Sequence, residues 1–297
     1  MSIYVKQNFE NGNKLEAEQL NYIEDGIINN SPYNGFNGKT VSFLADSITT
    51  YEDPEGFRWI PKGYALWYTI SRHASTGIDN VNKTWWKQVL NKLGMKLCVN
   101  AAWSGSKVTG NSKDTGGSVG CGDGRISALT VKEGVKSECP VGTKPDIIII
   151  FIGINDFGYG TTDYPVGNWD MSTLPEEGVQ STFDTSYALC VSKIMKTYPE
   201  AEVFCCTLLE TSGTYDSTSG WPLNNDNAVK INDYNKKIRE IAHLFGAKII
   251  DLHACGITYF NASTFCVDKL HPNAKGANLI ARKAISDICA QSIYSNN

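Results

Sequence analysis

No apolar run in this 297-residue chain is long enough to cross a bilayer. The most apolar stretch, Ile147 to Ile152, falls far short of the roughly 20 residues a spanning helix needs. The first ten residues, Met1 to Glu10, lack an apolar signal core and cleavage-type small residues. Export by the general secretory route is therefore not expected, and the product is expected in the cytoplasm when made. An excess of one charge is also missing. Lys and Arg number 27 against 31 Asp and Glu, a net charge of −4 spread along the chain. That leaves no basic stripe for nucleic acid. The nine cysteines contain no Cys-x-x-Cys pair and no metal-ligand spacing, so no metal is expected. Cys98, Cys190, Cys205, Cys206 and Cys289 lie in apolar surroundings and read as small buried hydrophobes. Cys121 and Cys139 lie nearer loops, where a pairing is open.

What is present is an ordinary globular composition, 41% hydrophobic and 20% charged, with enough length for one sizeable core. Five short apolar runs stand at Thr40–Leu44, Lys96–Asn100, Asp146–Ile152, Glu202–Thr207 and Lys248–Asp251. Between them, helical patterns are predicted near Asn82–Leu93, Ile126–Lys136, Ser181–Tyr198, Ala228–Phe245 and Ala274–Cys289. Strands alternating with helices imply an α/β fold, a five-stranded parallel sheet covered on both faces. The loops Tyr51–Gly77, Gly110–Gly124, Gly158–Gly178 and Glu210–Asn227 interrupt the pattern. Those after the first, third and fourth strands are placed to build a cleft beyond the strands' carboxyl ends. Their aromatics either stack on sugar rings or simply pack the loops. Residues 1–35 read as a separate helical leader, with a stripe of Leu15, Leu20, Ile23 and Ile27 closed by Asn29-Asn30-Ser31-Pro32. Residues 36–297 form the main domain.

With only four histidines, a general base is quickly narrowed down. His73 lies in a polar loop, His243 in a helical pattern and His253 just after the last strand; each reads as structural or surface. His271 stands in Asp268-Lys269-Leu270-His271-Pro272, immediately before the final helix. Proline restricts the backbone of the histidine before it, and a carboxylate three residues earlier can fold back to the ring. Such a carboxylate fixes the imidazole tautomer and stabilises the imidazolium. A nucleophile candidate, Ser47, ends the first strand in Ala45-Asp46-Ser47. The rival Gly116-Gly117-Ser118-Val119-Gly120 matches a nucleophile elbow by letter but lacks the strand before and helix after it. Oxyanion donors are available from Gly105, after the second strand, and from the Asn155 amide in Gly153-Ile154-Asn155-Asp156, after the third. Acids such as Asp156 and Asp163 leave a carboxylate-based glycosidase as a rival chemistry.

The order Ser47, Gly105, Asn155, His271 resembles the SGNH/GDSL hydrolase superfamily, across roughly residues 38 to 292. The Gly-x-Asn-Asp and Asp-x-x-His-Pro blocks match fully. The resemblance implies a flavodoxin-like three-layer α/β/α fold and a triad of Ser47, Asp268 and His271. It also implies an oxyanion hole from the Ser47 and Gly105 N–H groups and Asn155. It further implies cofactor-free ester hydrolysis by an acyl-enzyme. The polar, aromatic-bearing loops point to short acyl groups, acetyl foremost, on a glycan or other small acylated substrate. Ala45 departs from the usual glycine: if φ there is positive, alanine is strained by about 1 kcal/mol or more; if negative, it fits freely. A strained Ala45 would favour a non-catalytic, glycan-binding relative. The segment Phe9 to Ile27 resembles the N-terminal part of tail or baseplate proteins of phages of Gram-positive bacteria. It implies assembly through the leader helix, as a trimer, and a virion-associated product released by lysis.

Overall fold

The computed structural model describes residues 33–158, 164–210 and 230–295. Expectations for the leader, its helix, its oligomer and the phage resemblance, together with Asp163, lie outside the described residues. Within them, all five predicted strands form: β1 Thr40–Ala45, β2 Lys96–Ala102, β3 Ile147–Phe151, β4 Glu202–Cys206 and β5 Lys248–Ile250. They make one parallel sheet in the order β2-β1-β3-β4-β5. Ile147, Ile148, Ile149 and Ile150 are all fully buried, which is why β3 reads as a continuous apolar run rather than an alternating one. Each such side chain contributes about 1.5–3 kcal/mol by leaving water.

The named helices are α1 Trp85–Leu93, α2 Asp123–Ser127, α3 Ile154–Gly158, α4 Phe183–Thr197, α5 Ile231–Phe245 and α6 Ala274–Gln291. α1 packs on α6 and α4 on α5, the two pairs covering the sheet. The Thr84 hydroxyl accepts from the Lys87 N–H at the start of α1, and Asn273 Oδ1 accepts from the Lys275 and Gly276 N–H groups at the start of α6. Strand order reverses between β1 and β3, so the crevice at their carboxyl ends is the natural ligand position.

One predicted helix is mostly absent. The pattern at Ile126–Lys136 yields only the short α2, and residues 128–146 run irregularly. Tertiary bonding overrides the local pattern there: the Val131 N–H donates to the Thr143 carbonyl, and the Glu138 N–H donates to the Leu97 carbonyl. Glu138 Oε2 in turn accepts from the Leu97 N–H, so this segment seals the outer edge of β2. At the opposite edge, the Gln291 side chain accepts from the Ile249 N–H and donates to the Ile249 carbonyl.

The cysteine expectations hold in part. Cys98, Cys190, Cys205 and Cys206 are buried, and Cys289 is half-buried. All nine are free thiols, Cys121 and Cys139 included, and burial pushes the Cys121 thiol up to about 12. The aromatics of the 51–77 loop mostly serve packing: Tyr51, Tyr64, Trp67 and Tyr68 are buried, while Phe57 is exposed beneath Lys136.

Candidate active site

β1 delivers its chain into the crevice through Asp46, which caps a single 3-10 turn, Ser47–Thr49, by accepting from the Ile48 N–H at 3.0 Å. Ser47 is therefore the first residue of that turn, and its own N–H has no intrahelical acceptor. The Thr50 hydroxyl donates to the Ser47 carbonyl at 2.9 Å and secures the turn.

On the other side, Val267–His271 forms a tight hairpin closed by the Val267 N–H to His271 carbonyl bond. Lys269 sits at φ 68°, a left-handed conformation that costs a non-glycine residue about 1–2 kcal/mol. The turn this creates lets both the Leu270 and His271 N–H groups donate to Asp268 Oδ1, at 3.2 and 2.7 Å. A β-branched residue tolerates that conformation least. Lys269→Val is thus expected to lower the unfolding free energy by about 1–2 kcal/mol, while Lys269→Asn leaves it near wild type; urea denaturation compares them. Equal stabilities for the two variants would show that the turn carries no strain.

The two pieces meet. His271 Nε2 lies 2.8 Å from Ser47 Oγ, and His271 Nδ1 lies 2.8 Å from Asp268 Oδ2. Ser47 and His271 are buried to 3% and 1% exposure. Burial lowers the His271 pKa, Asp268 pulls it back up by hydrogen bond and charge, and Arg72 opposes; the net direction is down. Burial works to raise the Asp268 pKa, but the bonds and charge from His271 outweigh it and hold it below the usual value. A hydroxyl bonded to a neutral imidazole whose second nitrogen faces a carboxylate can be activated as a nucleophile.

The other predicted positions gather at the same sheet edge. Ala45 pairs in register with Ala102 and Phe151, and Ser47, Gly105 and Asn155 follow those three residues at the ends of β1, β2 and β3. Gly105 is exposed in a turn at φ 78°, and its N–H has no acceptor among the described residues. Asn155, on α3, is 1% exposed and donates one Nδ2 bond to the Ser106 carbonyl at 2.9 Å. Gly153 just before it, at φ 131°, has no room for a Cβ, which would stand 2.8 Å from Phe183. Ala45 is the last residue of β1 and is not among the residues with positive φ, so alanine fits there without strain.

The remaining candidates take other places. Asp156 is fully buried and accepts from the Val108 and Thr109 N–H groups and the Thr109 hydroxyl, which makes it a bracket for that loop. It offers no accessible carboxylate for glycosidase chemistry. His73 bonds the Glu52 carbonyl and stacks on Tyr51. His243 is exposed on α5, and His253 is half-buried after β5. The Gly116–Gly120 stretch lies in irregular loop, so its elbow-like letters are accidental.

Sequence reasoning missed Arg125 and Trp67. Arg125, on α2, is fully buried and donates to the Ala45, Ala101 and Gly117 carbonyls and to the Ser106 hydroxyl. It thus ties the ends of β1 and β2 to the turn carrying Gly105. Burial lowers its pKa to about 10, which leaves it charged at neutral pH. Trp67 stacks on His271 with centroids 3.7 Å apart. Gly122 and Gly124 around Arg125 look like loop filler in sequence. In the structure a Cβ on Gly124 would meet the Thr115 carbonyl at 2.3 Å, a close packing that only the fold reveals.

Asp46 is also fully buried, with Oδ2 lacking a hydrogen-bond partner among the described residues. Burial raises its pKa from 3.8 to about 7, against the Ile48 N–H bond and Arg125. A carboxyl that holds its proton longer when folded favours the fold below pH 3.8, and that advantage is lost as pH rises toward 7. Asp46→Asn keeps the acceptor for Ile48 and removes the titration. It is expected to flatten the fall in stability between those pH values by an amount on the order of a few kcal/mol. Parallel stability–pH curves for variant and wild type would refute the assignment.

Residues 39–288 match the family described as GDSL-like Lipase/Acylhydrolase. Solved structures share the fold. A Bacteroides ovatus ATCC 8483 protein assigned as a GDSL-like lipase is 22% identical, covering 86% of this chain and 100% of its own, with a TM-score of 0.55. A Lactobacillus plantarum protein is 19% identical over 86% of this chain and 99% of its own, with a TM-score of 0.59. A carbohydrate esterase family 2 enzyme with a carbohydrate binding domain, from Corynascus thermopiles, is 18% identical over 85% and 66%, with a TM-score of 0.50. No curated protein matches the sequence. The chain belongs to the GDSL-like lipase/acylhydrolase family and is a carboxylic ester hydrolase.

Proposed function

We propose that this protein hydrolyses short-chain acyl esters, acetyl foremost, on carbohydrate, through an acyl-enzyme on Ser47. The observation that carries the reading is the continuous relay from Ser47 Oγ to His271 Nε2 and from His271 Nδ1 to Asp268 Oδ2, each link 2.8 Å. In the first half-reaction His271 takes the Ser47 proton as Oγ attacks the ester carbonyl. The Ser47 and Gly105 N–H groups and the Asn155 amide receive the developing oxyanion. Collapse breaks the carbonyl–alkoxy bond, and His271 returns the proton to the leaving alcohol. Water, deprotonated by His271, then attacks the acyl-serine; the acyl–Oγ bond breaks, His271 returns the proton to Ser47 Oγ, and the acid is freed.

The carbohydrate assignment draws support from the polar composition of the loops that follow the strands in sequence and from the fold shared with the carbohydrate esterase named above. The non-catalytic reading loses its sequence ground, because Ala45 sits unstrained in its strand. Acetate release from a panel of acetylated polysaccharides, set against cleavage of p-nitrophenyl esters of increasing chain length, tests the proposal. Preference for long acyl chains with no acetate release from any glycan would overturn it.

A further inference from the structure

The contacts to Ser47 and Asp268 restrain His271 only in the plane of its ring. Its face is covered by Trp67: centroids lie 3.7 Å apart and the planes differ by 10°. Trp67 is 6% exposed, and its backbone N–H donates to the Thr50 hydroxyl at 3.0 Å. That same hydroxyl donates to the Ser47 carbonyl. One threonine therefore fixes both the turn that carries the nucleophile and the residue that covers the base. The exposed Arg72 guanidinium stands 4.2 Å over the same indole and makes no ion pair among the described residues. Tyr68 meets the imidazole edge-on and donates to the Pro272 carbonyl at 2.7 Å.

We propose that Trp67 is a positioning residue for His271, and that Arg72, carried on the same indole, biases that base toward its neutral form. The proposal rests on the reading of Ser47 and His271 as nucleophile and base. An indole face attracts an imidazolium, and a guanidinium on the same indole both competes for that attraction and repels the charge. With Trp67 against one face, the imidazole cannot tilt to that side out of the plane in which both of its hydrogen bonds lie.

The groups facing His271 are few. Asp268 meets Nδ1, Ser47 meets Nε2, and Trp67 and Tyr68 cover face and edge, with Arg72 beyond the indole. Cys266 stands beside the Asp268 hairpin and Asp46 beside Ser47. Burial holds the Tyr68 phenol and Cys266 thiol protonated through the working range. Asp46 is identical in every variant below, so its titration is common to all profiles.

The test is kcat and KM for p-nitrophenyl acetate across pH 5–9, at low and high salt, for wild type, Arg72→Gln, Trp67→Phe and Trp67→Leu. Arg72→Gln should move the acid limb to higher pH, losing roughly 2–3-fold on that limb relative to the plateau, with the effect shrinking at high salt. Trp67→Leu should lower kcat by about 10-fold with little change in KM, and Trp67→Phe, which keeps an aromatic face, should recover most of it. Should Trp67→Leu fail to fold, Trp67→Phe and Arg72→Gln still decide the matter. An acid limb unmoved in Arg72→Gln at low salt, or wild-type kcat in Trp67→Leu, overturns the proposal. An inactive Ser47→Ala protein beside coincident profiles refutes this inference alone, whereas an active one refutes the reading beneath it.

Discussion

Purified Ser47→Ala protein is expected to lose ester hydrolysis by about 10⁴-fold or more in kcat while keeping its unfolding midpoint. The side chain is small, and among the described residues its hydroxyl bonds His271, so removing it leaves the core packing as it was. His271→Ala should cost a similar factor, and the double variant little more, because groups that act as a unit are not additive. The pH profile carries a second check. His271 must be neutral to accept the proton, and its pKa lies below the ordinary 6.5. Activity should therefore hold down to that pH and fall only beneath it. Undiminished p-nitrophenyl acetate turnover by either single variant would place the chemistry elsewhere.

Arg125→Met is expected to be the most destabilising single change near the site. Three buried carbonyls and the Ser106 hydroxyl lose a donor. An unsatisfied buried acceptor costs about 1–3 kcal/mol. Two effects offset this: Ala45 O keeps its bond from the Trp103 N–H, and the desolvation cost of a buried guanidinium disappears. A net loss of about 3 kcal/mol in urea unfolding is the expectation. Turnover should fall as well, because the turn from Trp103 to Ser106 carries Gly105. Arg125→Lys, whose point charge cannot span the same carbonyls, should fall between. Wild-type stability in Arg125→Met would mean that relaxation or water replaces the guanidinium at little cost.

How far the molecule could be read from its residues depends on how local each feature is. The strand runs were legible because burial on both faces leaves an uninterrupted apolar stretch, seen best at Ile147–Phe151. Asp268 and His271 were legible because their contact spans three residues and a proline. Ser47 was legible only as the end of a strand; its bond to a ring 224 residues away needed the fold. Arg125 was opaque because nothing in Gly122-Asp123-Gly124-Arg125 says that the cation turns inward to strand ends made far earlier in the chain. Trp67 was one of several aromatics in a long loop, and only packing singles it out. Residues 128–146 defeated periodicity for the same reason, since their backbone answers to the β2 edge rather than to its own apolar spacing.

The treatment of the two outermost strands has a consequence for how this protein behaves at high concentration. An open strand is a template on which a neighbouring molecule can lay down another. Here Leu97 already shares its peptide groups with Glu138, and Ile249 shares its own with the Gln291 carboxamide, which imitates a passing backbone. With those positions occupied from within, lateral growth of the sheet into fibres or sticky stacks finds no purchase there, and the crevice can stay open without inviting polymerisation.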